Sequence, residues 1–368
     1  MTAAISDFWV ASSLGSGNAE TLANYLAGAA PGMREIKGDV PGRSLWFGCV
    51  DAKLPVVSER RWNMRSCRLL ALAAEALRGT FAALAERYGG ARIGIVLGAS
   101  NTGIDEAERY VDEWLDAGGA EGSTPPPDGM DFSMIELGTP SLYLKERLGF
   151  SGPAYTVSTA CSSASKAFGA ARRLIENGIC DAVVTGGVDG RCRFAMNGFS
   201  SLGALSEGRC RPLAPDRDGI NLGEGVALFV LERGDAVANP PAFLRGVGES
   251  SDAYHATAPD PEGHGAEAAM LAALADAGLS PSDVDYVNLH GTGTQANDSM
   301  EMAAVRRVFG EATAKMESTK SLTGHCLGAA GAVEAAICAL LVQSGRVRAA
   351  LSNSFAFGGS NASVVISA

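Results

Sequence analysis

One cysteine has the surroundings that a nucleophile needs. Cys161 lies in a turn of small residues, STACSSAS, that follows a β-rich stretch and precedes a helix expected over residues 163–176. The partial positive charge at a helix N-terminus favours thiolate over thiol and lowers a cysteine pKa from about 8.5 toward about 7 or below. Cys161 is therefore predicted to attack an electrophile such as a thioester. The alternative is a structural cysteine in a crowded turn.

Two histidines occupy turns that favour chemistry. The chain has four histidines, His255, His264, His290 and His325. The last two lie in glycine-rich turns that follow strands, within NLHGTGTQANDSME and STKSLTGHCLGAAG. A single histidine at a strand end is usually a structural residue with satisfied hydrogen bonds. Two such turns in a chain so poor in histidine favour a site in which His290 and His325 act with Cys161.

The bulk composition narrows the classes of partner. Of 368 residues, 46% are hydrophobic and 19% are charged, which is typical of a protein with a large buried core. The net charge of −11 repels phosphate backbones and anionic lipids, so no nucleic-acid partner is expected. The absence of a long apolar segment and of a signal-peptide pattern predicts a cytoplasmic protein without membrane contact. The eight cysteines form no CxxC pair, so neither a disulfide framework nor a metal site is predicted.

Buried strands and helices alternate along the chain. Strands are expected at residues 93–97, 183–185, 226–231, 284–289 and 362–366, and helices at residues 66–87, 163–176, 266–277 and 329–343. This alternation predicts a layered α/β fold with mostly buried sheets. A weak internal echo of helix, turn and strand suggests a duplicated half, with a natural seam at residues 234–241. The proline-rich stretch at residues 118–130 is predicted to be a surface insertion.

Four motifs in order resemble the active-site signatures of elongating β-ketoacyl-acyl carrier protein synthases. They are TACSS, HGTGT, TKSLTGH and NSFAFGGSNA, and the segment CRPLAPDRDGINLGEGVALFVLE is also similar to that family. The resemblance covers essentially the whole chain. It implies a thiolase-like α/β fold, in which two pseudo-symmetric halves, residues 1–236 and 237–368, form a five-layered αβαβα sandwich. It also implies decarboxylative Claisen condensation of an enzyme-bound acyl group with malonyl-acyl carrier protein, in fatty acid, polyene or polyketide synthesis.

The same motifs imply the roles of individual residues. By resemblance, Cys161 would be acylated, and His290 and His325 would bind the malonyl thioester. Lys320 and Glu301 would form a supporting charged network. The resemblance also implies substrate-binding residues, which are Thr292 and Thr294 against the phosphopantetheine arm, Phe357 as a gate to the acyl pocket, and its neighbours Gly358 and Gly359.

The chemistry explains why such groups are needed. Loss of CO2 from a malonyl thioester leaves an enolate, and two imidazole N–H donors in a dry pocket stabilise its oxygen. A second oxyanion forms on acylation, for which the resemblance suggests the backbone amides of Cys161 and Phe357. Transfer through sulfur predicts ping-pong kinetics. No metal or redox cofactor is expected for this chemistry. The substrate is expected to be carried on the phosphopantetheine of an acyl carrier protein.

An acidic carrier protein requires a local basic patch on a chain of net negative charge. The predicted docking residues are Arg60, Arg61, Arg65, Arg68 and Arg209, and the alternative is a set of solvated helix residues. The resemblance further implies a dimer. The second subunit would be either an identical chain or a related chain-length-factor subunit.

Several departures from the housekeeping enzymes leave the substrate open. They are QAND after HGTGT, Ser158 before TACSS, and Ala356 in FAFGG. A synthase for polyketide, polyene or unusual fatty acyl chains is one prediction.

Other classes fit the motifs less well. The non-enzymatic alternative is a chain-length-determining partner subunit, which usually lacks the reactive cysteine. A degradative thiolase would carry a GHP motif where this chain has LTGHCLG, and a chain-starting synthase would have asparagine in place of one histidine. The glycine-rich segments GSGNAE and GTGTQAND do not fit the GxGxxG pattern of a nucleotide site.

Overall fold

Two five-stranded arrays, joined edge to edge, form the frame against which the helices bury their apolar side chains. The computed structural model describes residues 2–119, 131–310 and 314–368. The strands in these ranges are β1 (Ala3–Ser12), β2 (Gly15–Ser16), β3 (Met33–Lys37), β4 (Ser44–Gly48), β5 (Ile93–Gly98), β6 (Ala154–Val157), β7 (Ala182–Asp189), β8 (Leu222–Gly223), β9 (Gly225–Arg233), β10 (Ala242–Ser251), β11 (Tyr286–Asn288), β12 (Lys315–Glu317), β13 (Ala349–Phe355) and β14 (Ser360–Ser367). The helices are α1 (Asn18–Ala27), α2 (Arg65–Ala76), α3 (Arg78–Tyr88), α4 (Ile104–Asp116), α5 (Thr139–Leu148), α6 (Ser163–Glu176), α7 (Arg193–Ser201), α8 (His264–Ala277), α9 (Gln295–Phe309), α10 (Lys320–Thr323) and α11 (Ala330–Gln343).

The two arrays repeat one pattern of strand directions. The first runs β6-β5-β7-β9-β1, with parallel pairs on either side of β5 and antiparallel pairs on either side of β9. The second runs β12-β11-β13-β14-β10, with parallel pairs around β11 and antiparallel pairs around β14. The antiparallel pair β1 and β10 joins the arrays, with Ala3 opposite Leu244. The predicted boundary after residue 236 falls between β9 and β10, and it stays a prediction.

Helices form three layers around these arrays. Helices α6 and α11 lie in the middle, where each contacts strands of both arrays. Alternate side chains of the first array point to opposite faces, so that Val96 packs with the α6 residues while Ile95 and Leu97 pack with the α2 residues. Helix α8 covers the outer face of the second array and α9 packs on α8. The result is the predicted αβαβα order of layers.

Most of the predicted elements are confirmed, with one error in the helices. The helix predicted over residues 66–87 is two helices, α2 and α3, which meet at Leu77. The backbone of Leu77 departs from helical values at φ −95° and ψ 12°, and its side chain is buried. The break allows α2 to follow β9 while α3 follows β5. An unbroken apolar periodicity does not report such a change of direction.

Two further predictions concern the proline-rich stretch and the location of the protein in the cell. Residues 120–130 of the predicted surface insertion lie outside the described residues. Within the described residues, none of the helices has the length and hydropathy that crossing a bilayer requires. The predicted cytoplasmic location stays a prediction.

Candidate active site

Cys161 lies in the sharp turn between β6 and α6, as the small residues around it predict. The preceding residue, Ala160, has a φ of 52°, in the left-handed region that a residue with a Cβ rarely adopts. Hydroxyl groups hold this turn: Ser163 Oγ donates to the Ala160 carbonyl at 2.6 Å and accepts from the Thr159 N–H at 2.9 Å. Backbone strain of this kind persists where the surroundings enforce it, and it is concentrated at functional sites.

A glycine on β5 allows this turn to sit close to the sheet. A Cβ on Gly98 would lie 2.3 Å from the backbone nitrogen of Ala164, in the first turn of α6. Only glycine therefore lets the start of α6 approach β5 so closely. The approach places Cys161 beside the ends of the parallel strands of the first array.

His290 follows β11 and is fixed through its backbone. The N–H groups of His290 and Gly291 each donate to one carboxylate oxygen of Glu301 on α9, both at 2.7 Å. The side chain of Asn353 also donates to Glu301, at 3.2 Å. Burial raises the pKa of Glu301 to about 7, although these hydrogen bonds oppose the rise. Glu301 therefore acts on the conformation of the His290 turn.

His325 is held from both sides by the segment that contains β8. Its N–H donates to the Asn221 carbonyl at 2.8 Å, and its own carbonyl accepts from the Gly223 N–H at 3.0 Å. Gly324, with a φ of 65°, packs so closely that a Cβ would lie 2.4 Å from the Leu222 carbonyl oxygen. These contacts fix the backbone of His325 against β8.

The thiol and the two imidazoles converge. His325 Nε2 lies 2.9 Å from Cys161 Sγ, and the rings of His290 and His325 meet edge to face with centroids 5.4 Å apart. All three side chains offer atoms within 4.8 Å of one another, and all three are buried. They line a mostly apolar cavity of about 390 Å³. Among the described residues, no hydrogen-bond partner is found for Nδ1 of either histidine.

The electrostatics of the cluster differ from the sequence prediction. Burial raises the pKa of the Cys161 thiol to about 11, although the charge of Lys320 and the backbone N–H groups of Phe357 and Cys161 oppose this rise. Burial, followed by the charge of Lys320, lowers the pKa of both His290 and His325 well below the ordinary value. The helix N-terminus was predicted to give a pKa near 7 or below, and burial outweighs it. At neutral pH the cluster is a thiol with two neutral imidazoles.

Lys320 has a different partner from the predicted one. Its Nζ donates to Glu334 Oε1 at 2.5 Å, and both side chains are fully buried. Glu301 influences Lys320 only as a nearby charge, because its oxygens are taken by backbone N–H groups. Sequence reasoning missed Glu334. The signal was present, since Glu334 is the only charged residue in the apolar run AGAVEAAICALLV, and a carboxylate buried there requires a cation.

Three of the five predicted substrate-binding residues, Thr292, Thr294 and Phe357, line the same cavity, whereas Gly358 and Gly359 do not. Thr292 and Thr294 lie at one side, with their hydroxyl oxygens 2.9 Å apart. Phe357 lines the cavity and stacks on Phe199 of α7 with ring centroids 5.6 Å apart. The two glycines after Phe357 have φ values of 79° and 74°, which allow the chain to turn there. Phe199 was not predicted, because nothing in its local sequence distinguishes it from a core aromatic residue.

One of the predicted docking residues, Arg65, forms an ion pair with a buried carboxylate. Arg65 donates through Nε and Nη2 to both oxygens of Glu224, whose side chain is only 1% exposed. Removing the guanidinium would leave a buried carboxylate without its cation. Arg65 therefore differs from the surface arginine that the sequence predicted.

The other docking candidates remain at the surface. They are Arg60, Arg61, Arg68 and Arg209, none of which is buried. Arg61 pairs with Glu146 at 2.9 Å, and Arg209 donates to the Ser321 carbonyl at 2.9 Å. Surface contacts of this kind contribute little to the stability of the fold. They leave the arginine side chains available to a partner protein.

Comparison with known sequences assigns the family. Residues 30–236 match the pattern described as Beta-ketoacyl synthase, N-terminal domain, and residues 241–353 match the Beta-ketoacyl synthase, C-terminal domain. The layered fold is the thiolase-like fold of ketosynthases. The chain belongs to the β-ketoacyl synthase family.

Individual relatives agree with this assignment. The 3-oxoacyl-acyl-carrier-protein synthase 2 of Staphylococcus aureus (strain COL) is 38% identical over 268 residues, which are 70% of this chain and 64% of the relative's own length. The ketosynthase ApeO, solved in complex with its chain length factor ApeC from Xenorhabdus doucetiae, is 38% identical. That comparison covers 100% of this chain and 98% of the other, with a TM-score of 0.93. The ishigamide ketosynthase/chain length factor structure is 28% identical over 100% of this chain and 98% of that one, with a TM-score of 0.89.

Proposed function

We propose that this chain condenses an acyl group held on Cys161 with malonyl-acyl carrier protein, releasing CO2 and β-ketoacyl-acyl carrier protein. The observation that best supports the proposal is the convergence of one thiol and two imidazoles, within 4.8 Å of one another, in an apolar cavity. The identity of 38% to a 3-oxoacyl-acyl-carrier-protein synthase supports the same reaction. Both substrates arrive as thioesters on phosphopantetheine, so the proposal includes no further cofactor.

The first half-reaction loads the cysteine. Cys161 Sγ attacks the acyl thioester carbonyl while its proton passes to His325 Nε2, 2.9 Å away. The N–H groups of Phe357 and Cys161 point at the sulfur and are placed to donate to the carbonyl oxygen as it becomes negative. The carbon–sulfur bond of the incoming thioester breaks, and the leaving pantetheine thiolate takes the proton from His325. A histidine whose pKa is lowered gives up that proton readily.

The second half-reaction forms the new carbon–carbon bond. The malonyl carboxylate leaves as CO2, and its electron pair becomes an enolate. Neutral His290 donates an N–H to the enolate oxygen, and His325 does so in the neutral tautomer that carries its proton on Nε2, so neither ring needs to be charged. The enolate carbon attacks the acyl carbonyl on Cys161, the carbon–sulfur bond breaks, and the cysteine thiolate takes up a proton from water.

We also propose a partner subunit of the chain-length-factor type. The comparison structure with 38% identity is a ketosynthase in complex with its chain length factor, and a second one at 28% identity is of the same kind. A specialised polyene, polyketide or fatty acyl pathway fits these relatives. The alternative, in which this chain is itself the chain-length-determining subunit, is not favoured because Cys161, His290 and His325 form a complete cluster.

Mass spectrometry tests the loading step. The purified protein is incubated with acyl-carrier thioesters of several chain lengths, and the site of the adduct is located by peptide mapping. We expect an acyl mass on Cys161 that disappears in Cys161→Ala and persists in Cys180→Ala, a buried cysteine outside the cavity. Adducts on other residues, or none with any chain length, would refute the proposal.

Malonyl decarboxylation tests the histidine pair. Removing one donor to an enolate of this kind costs about 2.7 to 4 kcal/mol of transition-state stabilisation. His290→Ala should therefore release CO2 from malonyl-acyl carrier protein about 100- to 1,000-fold more slowly. His264→Ala, an exposed histidine outside the cavity, should retain the rate of the unsubstituted protein. Equal rates in all three proteins would contradict the assigned role.

Charge reversal tests docking at the surface arginines. We propose that Arg60, Arg61, Arg68 and Arg209 receive the acidic carrier protein. Arg60→Glu with Arg68→Glu should raise KM for a carrier-bound acyl thioester and leave KM for an acyl N-acetylcysteamine thioester unchanged. Arg346→Glu, outside the proposed patch, is the control. A KM for the carrier-bound substrate that stays constant in the double variant would rule out this docking surface.

A further inference from the structure

Glu224 is a buried carboxylate surrounded by donors. Its oxygens accept from the N–H groups of Val50, at 3.0 Å, and Arg191, at 3.1 Å, in addition to the guanidinium of Arg65. Its own N–H donates to the Gly48 carbonyl at 2.8 Å. The side chain of Arg65 is 35% exposed, whereas that of Glu224 is 1% exposed. The pair therefore links the first residue of α2, near the surface, to the interior of the protein.

Glu224 is adjacent in the chain to the residues that hold His325. Gly223 donates its N–H to the His325 carbonyl at 3.0 Å, and Asn221 accepts the His325 N–H at 2.8 Å. The thiol of Cys326 donates to the Glu224 carbonyl at 3.4 Å. A displacement of Glu224 would therefore also displace the neighbouring residues that are hydrogen-bonded to the N–H and carbonyl groups of His325.

We propose that Arg65 and Glu224 are positioning residues for His325. The guanidinium neutralises the buried carboxylate and fixes it, and the carboxylate fixes residues 221–225, against which the His325 backbone is bonded. Neither residue lines the cavity that contains Cys161. They act on the reaction only through the distance between the His325 imidazole and the sulfur.

This inference deepens the proposed function and gives Arg65 a role that differs from docking. A docking residue affects only substrates that carry a protein, whereas a positioning residue affects every substrate. The two roles therefore predict different kinetics. A displacement of about 1 Å at a reacting group is enough to lower a rate about 100-fold.

The experiment compares Arg65→Met and Glu224→Gln with two acyl donors, an acyl-carrier thioester and an acyl N-acetylcysteamine thioester. For both donors we expect kcat to fall about 10- to 100-fold, with KM changed by less than about twofold. Arg65→Lys retains the charge and one donor group, so it should recover part of kcat. A raised KM for the carrier-bound donor alone, with kcat unchanged, would overturn the proposal in favour of docking.

Strand β9, which begins directly after Glu224, provides a matched control. At the far end of β9, the buried Glu232 pairs with the half-exposed Arg87 at 3.2 Å, and neither residue lines the cavity. Arg87→Met and Glu232→Gln should lower the urea midpoint of unfolding in the same way as the Arg65 and Glu224 variants, and leave kcat unchanged. If the Arg65 and Glu224 variants also lost stability without losing kcat, their role would be structural and the proposal would be wrong.

A second readout separates this inference from the proposed reaction. Because His325 Nε2 lies 2.9 Å from Cys161 Sγ, a shift of the imidazole changes the rate at which iodoacetamide alkylates that sulfur. At fixed pH we expect the alkylation rate of Cys161 to change at least about threefold in Arg65→Met and Glu224→Gln, and to stay constant in the Arg87 and Glu232 variants. If the unsubstituted protein condensed no thioester, the proposed function would fail while this measurement still decided the positioning role. An unchanged alkylation rate of Cys161 in all four variants would refute the positioning role of Arg65 and Glu224.

Discussion

The sulfur of Cys161 is subject to opposing influences. Burial in the cavity favours the thiol and raises its pKa to about 11, while the charge of Lys320 and two backbone N–H groups favour the thiolate. The neighbouring imidazole at 2.9 Å is neutral and able to accept the proton. Attack by Cys161 is therefore expected to depend on proton transfer to His325 more than on a standing thiolate.

The pH dependence of alkylation tests this account of Cys161. Thiolate is the reacting form, and its fraction rises with pH up to the pKa of the thiol. We expect the rate of reaction of Cys161 with iodoacetamide to increase throughout the range from about pH 7 to about pH 10. A rate that reached its plateau near pH 7 would instead support the lowered pKa that the helix N-terminus alone predicts. Peptide mapping assigns the label to Cys161.

The buried pair of Lys320 and Glu334 is expected to matter strongly for stability. Lys320→Met leaves the Glu334 carboxyl in an apolar helix without its cation, and breaking a buried pair in this way costs about 3–5 kcal/mol. Urea unfolding should show a loss of that size. Lys320→Met combined with Glu334→Leu should recover most of it, because no uncompensated polar group remains.

A surface pair provides the control for this prediction. Arg348 and Asp285 form an ion pair in which the arginine side chain is 77% exposed. Arg348→Met should leave the free energy of unfolding nearly unchanged, because solvent screens an exposed pair of this kind. A double Lys320 and Glu334 variant no more stable than Lys320→Met would contradict the interpretation of the buried pair.

At the scale of elements, α9 controls the His290 turn through one carboxyl group. Glu301 has a pKa of about 7 in the folded chain, above the value of about 4.3 expected when unfolded. Between these values the folded state binds more protons than the unfolded state. The contribution of Glu301 to stability is therefore fully present below about pH 4 and is lost as the pH rises toward 7.

Unfolding at several pH values tests this linkage. In the unsubstituted protein the free energy of unfolding should fall between about pH 5 and pH 7, with up to about 1.4 kcal/mol per pH unit due to Glu301. Glu301→Gln does not titrate, so the fall should be smaller by that amount. Urea unfolding at pH 5, 6 and 7 measures both slopes, and equal slopes would show that Glu301 keeps its ordinary pKa in the fold.

The elements also show which parts of the site are predictable from sequence. The turns of Cys161, His290 and His325 are local, since each is specified by small residues and glycines next to the functional side chain. The pair of Arg65 and Glu224 depends on residues 159 positions apart, which meet only because β9 lies beside α2. No local pattern reports such a pairing. The lowered thiol pKa was predicted wrongly for the same reason, because the degree of burial is a property of the whole fold.

At the scale of the whole molecule, one edge of the first array pairs with no further strand among the described residues. Strand β6 is the terminal strand of that array, and Tyr155 on it is 39% exposed. Leu142 on α5, which packs beside β6, is also exposed. An edge strand with exposed apolar side chains is prone to pair with another chain. This feature supports the predicted dimer.

Light scattering tests the role of this edge. In the absence of the proposed partner subunit, we expect the purified chain to pair with itself and to have about twice the mass of 37.8 kDa that one copy has. Tyr155→Lys with Leu142→Lys should convert it to single chains, because charges at the edge oppose pairing. Leu271→Lys, which alters an exposed leucine on α8 in the other half, should leave the mass unchanged. A double variant that kept the dimer mass would place the interface elsewhere.

The whole-chain architecture was largely predictable, because the alternation of strands and helices and the internal echo both follow from the pattern of apolar residues. The strand pairing that joins the two halves was not predictable from the sequence. The opening strand, β1, carries no motif, and the sequence gives no sign that it pairs with both β9 and β10.

The position of β1 has a consequence for how the chain is made. Ala3 lies opposite Arg233 on one side and Leu244 on the other, so β1 leaves the ribosome before β9 and β10 and finds neither of them until they have been translated. Until then β1, which is mostly buried in the folded protein, lacks both of these neighbours. It is accessible to chaperones and to other nascent chains during that time. Since β1 also joins the two arrays, their assembly requires a strand that was synthesised before either of its partner strands.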